Sequence, residues 1–154
     1  MRLRRSPRRE FVKVQFYDPV IGYENLWADK LGDNRYRIES TPFFIYGISR
    51  NDIVNALPDE EGRLQFAQVV SSSGNRTVRA RSDKFLNNTA FKKRVIGELT
   101  KIGCNVEELR SRLLSIDVSP EVGMQTVTDY LTNIARIDWE FGNPENLNKN
   151  PVSH

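Results

Sequence analysis

With 154 residues, 38% of them hydrophobic and 10% aromatic, the chain can bury one compact core or two very small ones and is too aromatic to stay unfolded. Its formal net charge of +3 comes from the N-terminus, because residues 1–10 hold five arginines against Glu10, net +4, which leaves the body at −1 and argues against a phosphate-binding face. Apolar runs such as Phe43-Phe44-Ile45-Tyr46 fall far short of the roughly 20 residues of a membrane span, and the single cysteine gives no disulfide framework, so the cytosol is the expected compartment.

Residues 1–10 read as a disordered basic leader, since Ser6-Pro7 breaks any helix through them. From 11 to 73 the pattern is one of short strands and tight turns. Val12, Val14 and Phe16 alternate with Lys13, Gln15 and Tyr17, the period of a half-buried strand. A strand through Glu24–Leu31 and another over Arg35–Glu39 are joined by Gly32-Asp33-Asn34, whose residues favour turn conformations. After Pro42 comes the apolar run Phe43–Ile48. Ile53–Leu57 and Arg63–Val70 then form a hairpin across Pro58–Gly62, with Gly62 suited to a bulge. Five or six short antiparallel strands in about 60 residues close into a small barrel, here expected to be SH3-like, which removes exposed edges. Most of Trp27, Phe43, Phe44 and Tyr46 are expected to fill its interior.

Residues 76–142 read as strand, helix, two strands, helix, strand, a ferredoxin-like βαββαβ half that makes the chain α+β. Val78 and Ala80 should point inward and Arg79 and Arg81 outward. Asn87 or Asn88 can cap a helix whose inward stripe is Phe91, Val95, Leu99 and Ile102, with Gly103 ending it. Short strands follow at Cys104–Glu108 and through Leu114, Ile116 and Val118. Ser119-Pro120-Glu121 has the composition of a helix start, and Val127, Leu131 and Ile134 give that helix an inward stripe. Ile137, Trp139 and Phe141 alternate with Asp138 and Glu140 in a last strand, leaving 143–154 as a disordered tail. Charge is segregated along this order: residues 76–112 carry ten basic against four acidic side chains, net +6, whereas 11–75 and 113–154 are net −3 and −4. Such a dipole orients a charged partner during encounter.

Several stretches resemble one family. Glu24-Asn25-Leu26-Trp27-Ala28, Leu31-Gly32-Asp33-Asn34-Arg35-Tyr36-Arg37-Ile38, Thr41-Pro42-Phe43-Phe44 with Tyr46-Gly47, and Asp52-Ile53-Val54 are similar to small bacterial proteins known only as a domain of unknown function. Gly103-Cys104-Asn105-Val106-Glu107 and Arg112 through Pro120 extend the resemblance over roughly residues 11–141. It brings no catalytic residues. It implies a soluble bacterial accessory protein, and some such orphans serve as immunity partners of secreted toxins.

The residues themselves speak against catalysis. His154 sits at the last position, Cys104 follows a helix C-terminus rather than the N-terminus that lowers a thiol pKa, and no glycine-rich loop precedes a helix. Asp59-Glu60-Glu61 has no histidine to complete a ligand set, and adjacent acids in a hairpin loop ordinarily face water. Catalytic residues, metal and cofactor are therefore all read as none. The expectation is a non-catalytic module that binds another protein, most concretely an immunity protein occluding a cognate toxin such as a nuclease. Its expected contacts are Tyr46, Asp59, Glu60, Glu61, Asp138, Trp139 and Glu140. The alternative is an RNA-binding sheet, which would need exposed aromatics where Arg79, Arg81, Asp117, Asp138 and Glu140 are expected.

Overall fold

Strong alternation at the start of the chain produces β1 (Phe11–Asp18), paired antiparallel with β2 (Gly22–Gly32) through eight residue pairs from Phe11↔Asp29 to Asp18↔Gly22. In this computed structural model, which describes residues 8–110 and 112–143, the meander continues through β3 (Arg35–Ile38), β4 (Ile53–Pro58) and β5 (Leu64–Ser71) and closes into a barrel. A meander with an odd number of strands brings first and last together in the same direction, so the closing β1–β5 pair is parallel, Val14↔Leu64 and Gln15↔Gln65, and not antiparallel as expected. In the β4–β5 hairpin the register irregularities lie at Ile53/Val54 and Asn55/Ala56 rather than at Gly62, which instead turns the hairpin loop, and a further one lies between Lys30 and Gly32 on β2.

The barrel interior is filled by Val14, Phe16, Leu26, Ala28, Tyr36, Ile38, Ile45, Ile48, Val54 and Ala56. That set leaves no room for the aromatic residues expected inside. Trp27 falls between inward Leu26 and Ala28, so the strand's period of two turns it out, half exposed. Residues 43–48 form no strand but a bent segment: Ile45 and Ile48 enter the core, while Phe44 and Tyr46 face the other half.

That other half is a four-stranded antiparallel sheet of β6 (Arg76–Arg81), β7 (Asn105–Leu109), β8 (Leu113–Val118) and β9 (Asp138–Phe141), in the order β7-β8-β6-β9. A short helix α1 (Lys84–Asn87) precedes α2 (Thr89–Ile102). The Asn88 side chain caps α2 by accepting from the Phe91 amide at 3.0 Å, and Gly103, at φ 114°, supplies the left-handed C-terminal turn. Val95 and Leu99 meet Val78, Ala80, Leu114, Ile116 and Val127 in the core, with Phe85 from α1 fully buried beside them. Cys104 lies in the same core, where burial and then the charge of Asp117 push its thiol up to about 11.

Two expectations for the last helix are corrected. Ser119–Val122 forms a turn, and α3 starts only at Met124 (Met124–Asp129), because Gly123 is still extended. The chain then widens into a π-helical turn over Tyr130–Ala135. A π turn holds more residues than an α turn, so Ala135 takes the inward place four residues after Leu131 and Ile134 is left 73% exposed.

The chain ends also differ from expectation where they are described. Arg9 is ion-paired to Asp29 and Glu39, and the Glu10 carbonyl accepts from the Lys30 amide, so the barrel's edge begins before Phe11. Asn143, expected in the tail, is buried: its side-chain oxygen accepts from the Thr77 amide at 2.7 Å and from Ser49 Oγ at 2.9 Å. The rest of the expected leader, residues 1–7, and of the expected tail, including His154, lie outside the described residues.

Candidate functional site

The two halves meet along residues 41–49, and two charged side chains hold that segment in place. Glu24 on β2 accepts three consecutive backbone amides, Phe43 at 2.8 Å, Phe44 at 3.1 Å and Ile45 at 2.8 Å. Arg79 on β6 donates to three carbonyls of the same stretch: Pro42 at 3.3 Å, Phe44 at 3.2 Å, and Ile45. Ser115 Oγ also donates to the Pro42 carbonyl, at 2.6 Å, and the Glu107 carboxylate accepts from the Thr41 amide at 2.8 Å. A segment with no ladder of its own thus has four amides and three carbonyls between Thr41 and Ile45 held by side chains from both halves.

This explains why Arg79 is only 3% exposed, against the expectation that it points outward to solvent. The sheet face opposite the helices is covered, not open, and Thr77, Ser115 and Asp117 are buried on it as well. Burial lowers the Arg79 pKa, opposed by the carboxylates of Glu140 and Glu24, as a desolvated guanidinium requires. Just past β9 the backbone approaches β6 so closely that a Cβ on Gly142 would stand 3.0 Å from that of Thr77, so any larger residue would push Thr77 aside.

Over this clamp lies a cleft of about 320 Å³ lined by Phe43, Phe44, Arg79, Arg81, Leu113, Asp138, Trp139 and Glu140. Tyr46 stands beside it: its hydroxyl donates to Glu140 Oε2 at 2.6 Å, and the Arg79 guanidinium lies 4.7 Å from its ring centre. The hydrogen bond to Glu140, then burial, raise the phenol above its usual 10, with Arg79 opposing. Trp139 Nε1 donates to Thr132 Oγ1 at 2.9 Å, and its ring packs edge-on to Phe141 at 5.1 Å. Phe44, Arg81 and Leu113 continue the cleft into a groove of about 380 Å³ with Leu86, Leu109, Arg110 and Arg112. Among the described residues the cleft lining holds Asp138 and Glu140, the guanidinium groups of Arg79 and Arg81, three aromatic rings and Leu113.

The structure therefore unites Tyr46, Asp138 and Glu140, leaves Trp139 on the cleft lining with its ring packed on the helix side of the sheet, and separates all four from Asp59, Glu60 and Glu61. Those three occupy the β4–β5 loop, about 20 Å along β4 from Asp52, which braces the seam through Ser49 and Ser73. Asp59 is not simply solvated: it accepts from the Glu61 and Arg63 amides at 2.9 Å each, from Arg63 Nε and from Gln65 Nε2. Desolvation alone would raise its pKa, but these hydrogen bonds outweigh it and hold the carboxyl at about 2. Sequence reasoning missed Glu24, Phe43, Phe44 and Arg79 as parts of the site. A second cleft between the halves, about 330 Å³, is lined by Arg50, Asn75, Asn105 and buried Asp117, whose pKa is raised by burial against Asn75 and Arg50. Among the described residues no three His, Cys, Asp or Glu side chains are placed to hold a metal ion, and no helix is long and apolar enough to cross a membrane.

A mixed α+β protein with a closed barrel, a second antiparallel sheet and an aromatic cleft at their seam is the class these features define. The chain belongs to the family described as Domain of unknown function (DUF4265), which matches residues 24–140. The match starts within β2, so β1 lies outside it although the resemblance seen in the sequence began at residue 11. Among solved structures, one titled "Novel crystal structure of a hypothetical protein from Neisseria gonorrhoeae" is similar, with a TM-score of 0.63 at 17% identity over 90% of this chain and 97% of that one. At that identity the likeness shows the fold. No curated protein matches the sequence.

Proposed function

We propose that this is a non-catalytic protein-binding module of the bacterial cytoplasm, acting as an immunity protein that occludes a cognate toxin. The observation that carries this reading is the seam cleft: half-exposed Phe44 and Tyr46 stand beside Asp138 and Glu140, with Trp139 on its lining, over a segment whose Phe43, Phe44 and Ile45 amides are held by Glu24. Rigid aromatic anchors rimmed by charge are what a protein interface uses for affinity and register. The exposed carboxylates suit a basic partner surface such as that of a nuclease. We further read the βαββαβ half, with strand order β7-β8-β6-β9, as ferredoxin-like and the five-stranded barrel as SH3-like. RNA binding is the weaker reading, because base stacking needs bare aromatics on the sheet, and the face that would carry them holds Thr77, Arg79 and Ser115 against residues 42–49 and Asp117 against Arg50 and Asn75.

The test is coexpression with the product of the neighbouring gene, followed by affinity capture. A stable complex that Tyr46→Ala and Trp139→Ala each weaken by about tenfold or more supports the reading. The absence of any complex, together with no protection from a neighbouring toxin, overturns it.

A further inference from the structure

The outer face of the β1–β2 hairpin is aromatic and stands apart from the seam. Phe11, Tyr17, Tyr23 and Trp27 on it are 49%, 60%, 65% and 50% exposed, a concentration of large rings that a barrel needs for neither core nor turn. Two of the four already hold a cation from this chain. The Arg9 guanidinium lies 5.1 Å from the Phe11 ring centre, and Lys13 Nζ lies 5.0 Å from that of Trp27. Tyr17 and Tyr23, directly opposite in register and 4.8 Å apart, form a pair with no cation over it among the described residues.

Carboxylates flank this pair. Gln65 Nε2 donates both to Gln15 Oε1 on the face, at 2.8 Å, and to Asp59 Oδ2, at 3.0 Å, which ties the Asp59–Glu61 loop to the hairpin's edge. Arg63 pairs with Asp59 at 3.0 Å and with Glu61 at 3.4 Å beside Tyr23, while Glu60 stays exposed, and the segment 11–75 as a whole carries six basic against nine acidic side chains. Rings with their faces open, beside carboxylates, attract guanidinium and ammonium groups and repel phosphate. We infer that the β1–β2 face with the Asp59–Glu61 loop is a second docking surface, and that its ligand is an arginine-rich polypeptide segment of a partner protein. Arg9 displays the same chemistry within the chain: it stacks on Phe11 while pairing with Asp29 at 3.1 Å and Glu39 at 2.6 Å.

The test is fluorescence anisotropy of a labelled ten-residue peptide of alternating Arg and Gly, titrated with the full chain. Binding is expected to weaken about three- to tenfold in Tyr23→Ala and by a similar factor in the Glu60→Gln, Glu61→Gln double variant. Glu121→Gln, a carboxylate of the other half, should leave it unchanged. All of these positions are exposed, so the variants fold. No binding by the natural chain, equal binding by a labelled oligothymidylate, an affinity indifferent to Tyr23 and Glu60/Glu61, or a concentration-dependent dimer abolished by Tyr23→Ala would each overturn the inference. None of these results bears on the seam, whose own test rests on Tyr46 and Trp139.

Discussion

Arg79→Met removes the guanidinium while keeping a long apolar side chain, and so isolates what the clamp contributes. Three carbonyls lose a donor. Pro42 retains Ser115 Oγ at 2.6 Å, which leaves the Phe44 and Ile45 carbonyls without their side-chain partner in the seam. The Ile45 acceptor is buried and the Phe44 acceptor part-buried; stranding them costs about 1–3 kcal/mol each, the Phe44 carbonyl toward the lower end, so the expected loss is about 2–4 kcal/mol. The lost ion pair with Glu140, which is half exposed, adds little. With a urea m-value of about 2 kcal/mol/M, a loss of this size lowers the unfolding midpoint by about 1–2 M. Arg79→Lys should recover only part of this, since one ammonium cannot reproduce a planar fork reaching three carbonyls. The assay is urea unfolding followed by circular dichroism for the natural chain and both variants. An Arg79→Met midpoint within about 0.3 M of the natural one would refute the reasoning, because two stranded acceptors cannot cost so little.

Further outcomes follow from neighbouring features. Glu24→Gln should destabilise by about 1–3 kcal/mol and speed hydrogen exchange at the Phe43, Phe44 and Ile45 amides, and unchanged protection there would count against the carboxylate's role. Because the Asp59 carboxyl is held at about 2, below its ordinary 3.8, its contribution to stability is complete above pH 4 and is lost as pH falls through 2. Asp59→Asn should flatten the stability profile in that window, and an NMR titration of Asp59 with a midpoint near 4 would contradict the hydrogen-bond count. Cys104, with its thiol near 11, should resist iodoacetamide at pH 8 until the protein is unfolded, and rapid native labelling would show that it is not buried. Leu131→Ala should cost about 2–5 kcal/mol, whereas Ile134→Ser should stay within about 0.5 kcal/mol; comparable losses at both sites would mean that no π turn has rotated Ile134 outward.

Periodicity, caps and turn residues made much of both halves legible in the amino-acid order. The alternation from Val12 to Tyr17, the Asn88 cap and the Gly103 terminator act through neighbours a few residues away, so their effects appear where the composition places them. What failed were inferences about which outer positions another part of the chain would cover. Arg79 and Asp117 alternate as surface residues do, yet both are buried, Arg79 under residues 41–49 and Asp117 against Arg50 and Asn75. Trp27 has the bulk of a core residue, but the phase of β2 turns it out. Ile134 is in helical phase with Val127, and one π turn removes it from the interior. Tyr46 and Glu140 were each expected as contacts separately, whereas the hydrogen bond that joins them links residues 94 positions apart. Local chemistry, then, is written along the chain. The cleft, and its separation from the acidic loop, exist only once Glu24 and Arg79 hold one irregular segment between two cores, because that long-range satisfaction of backbone groups has no periodic signature to read.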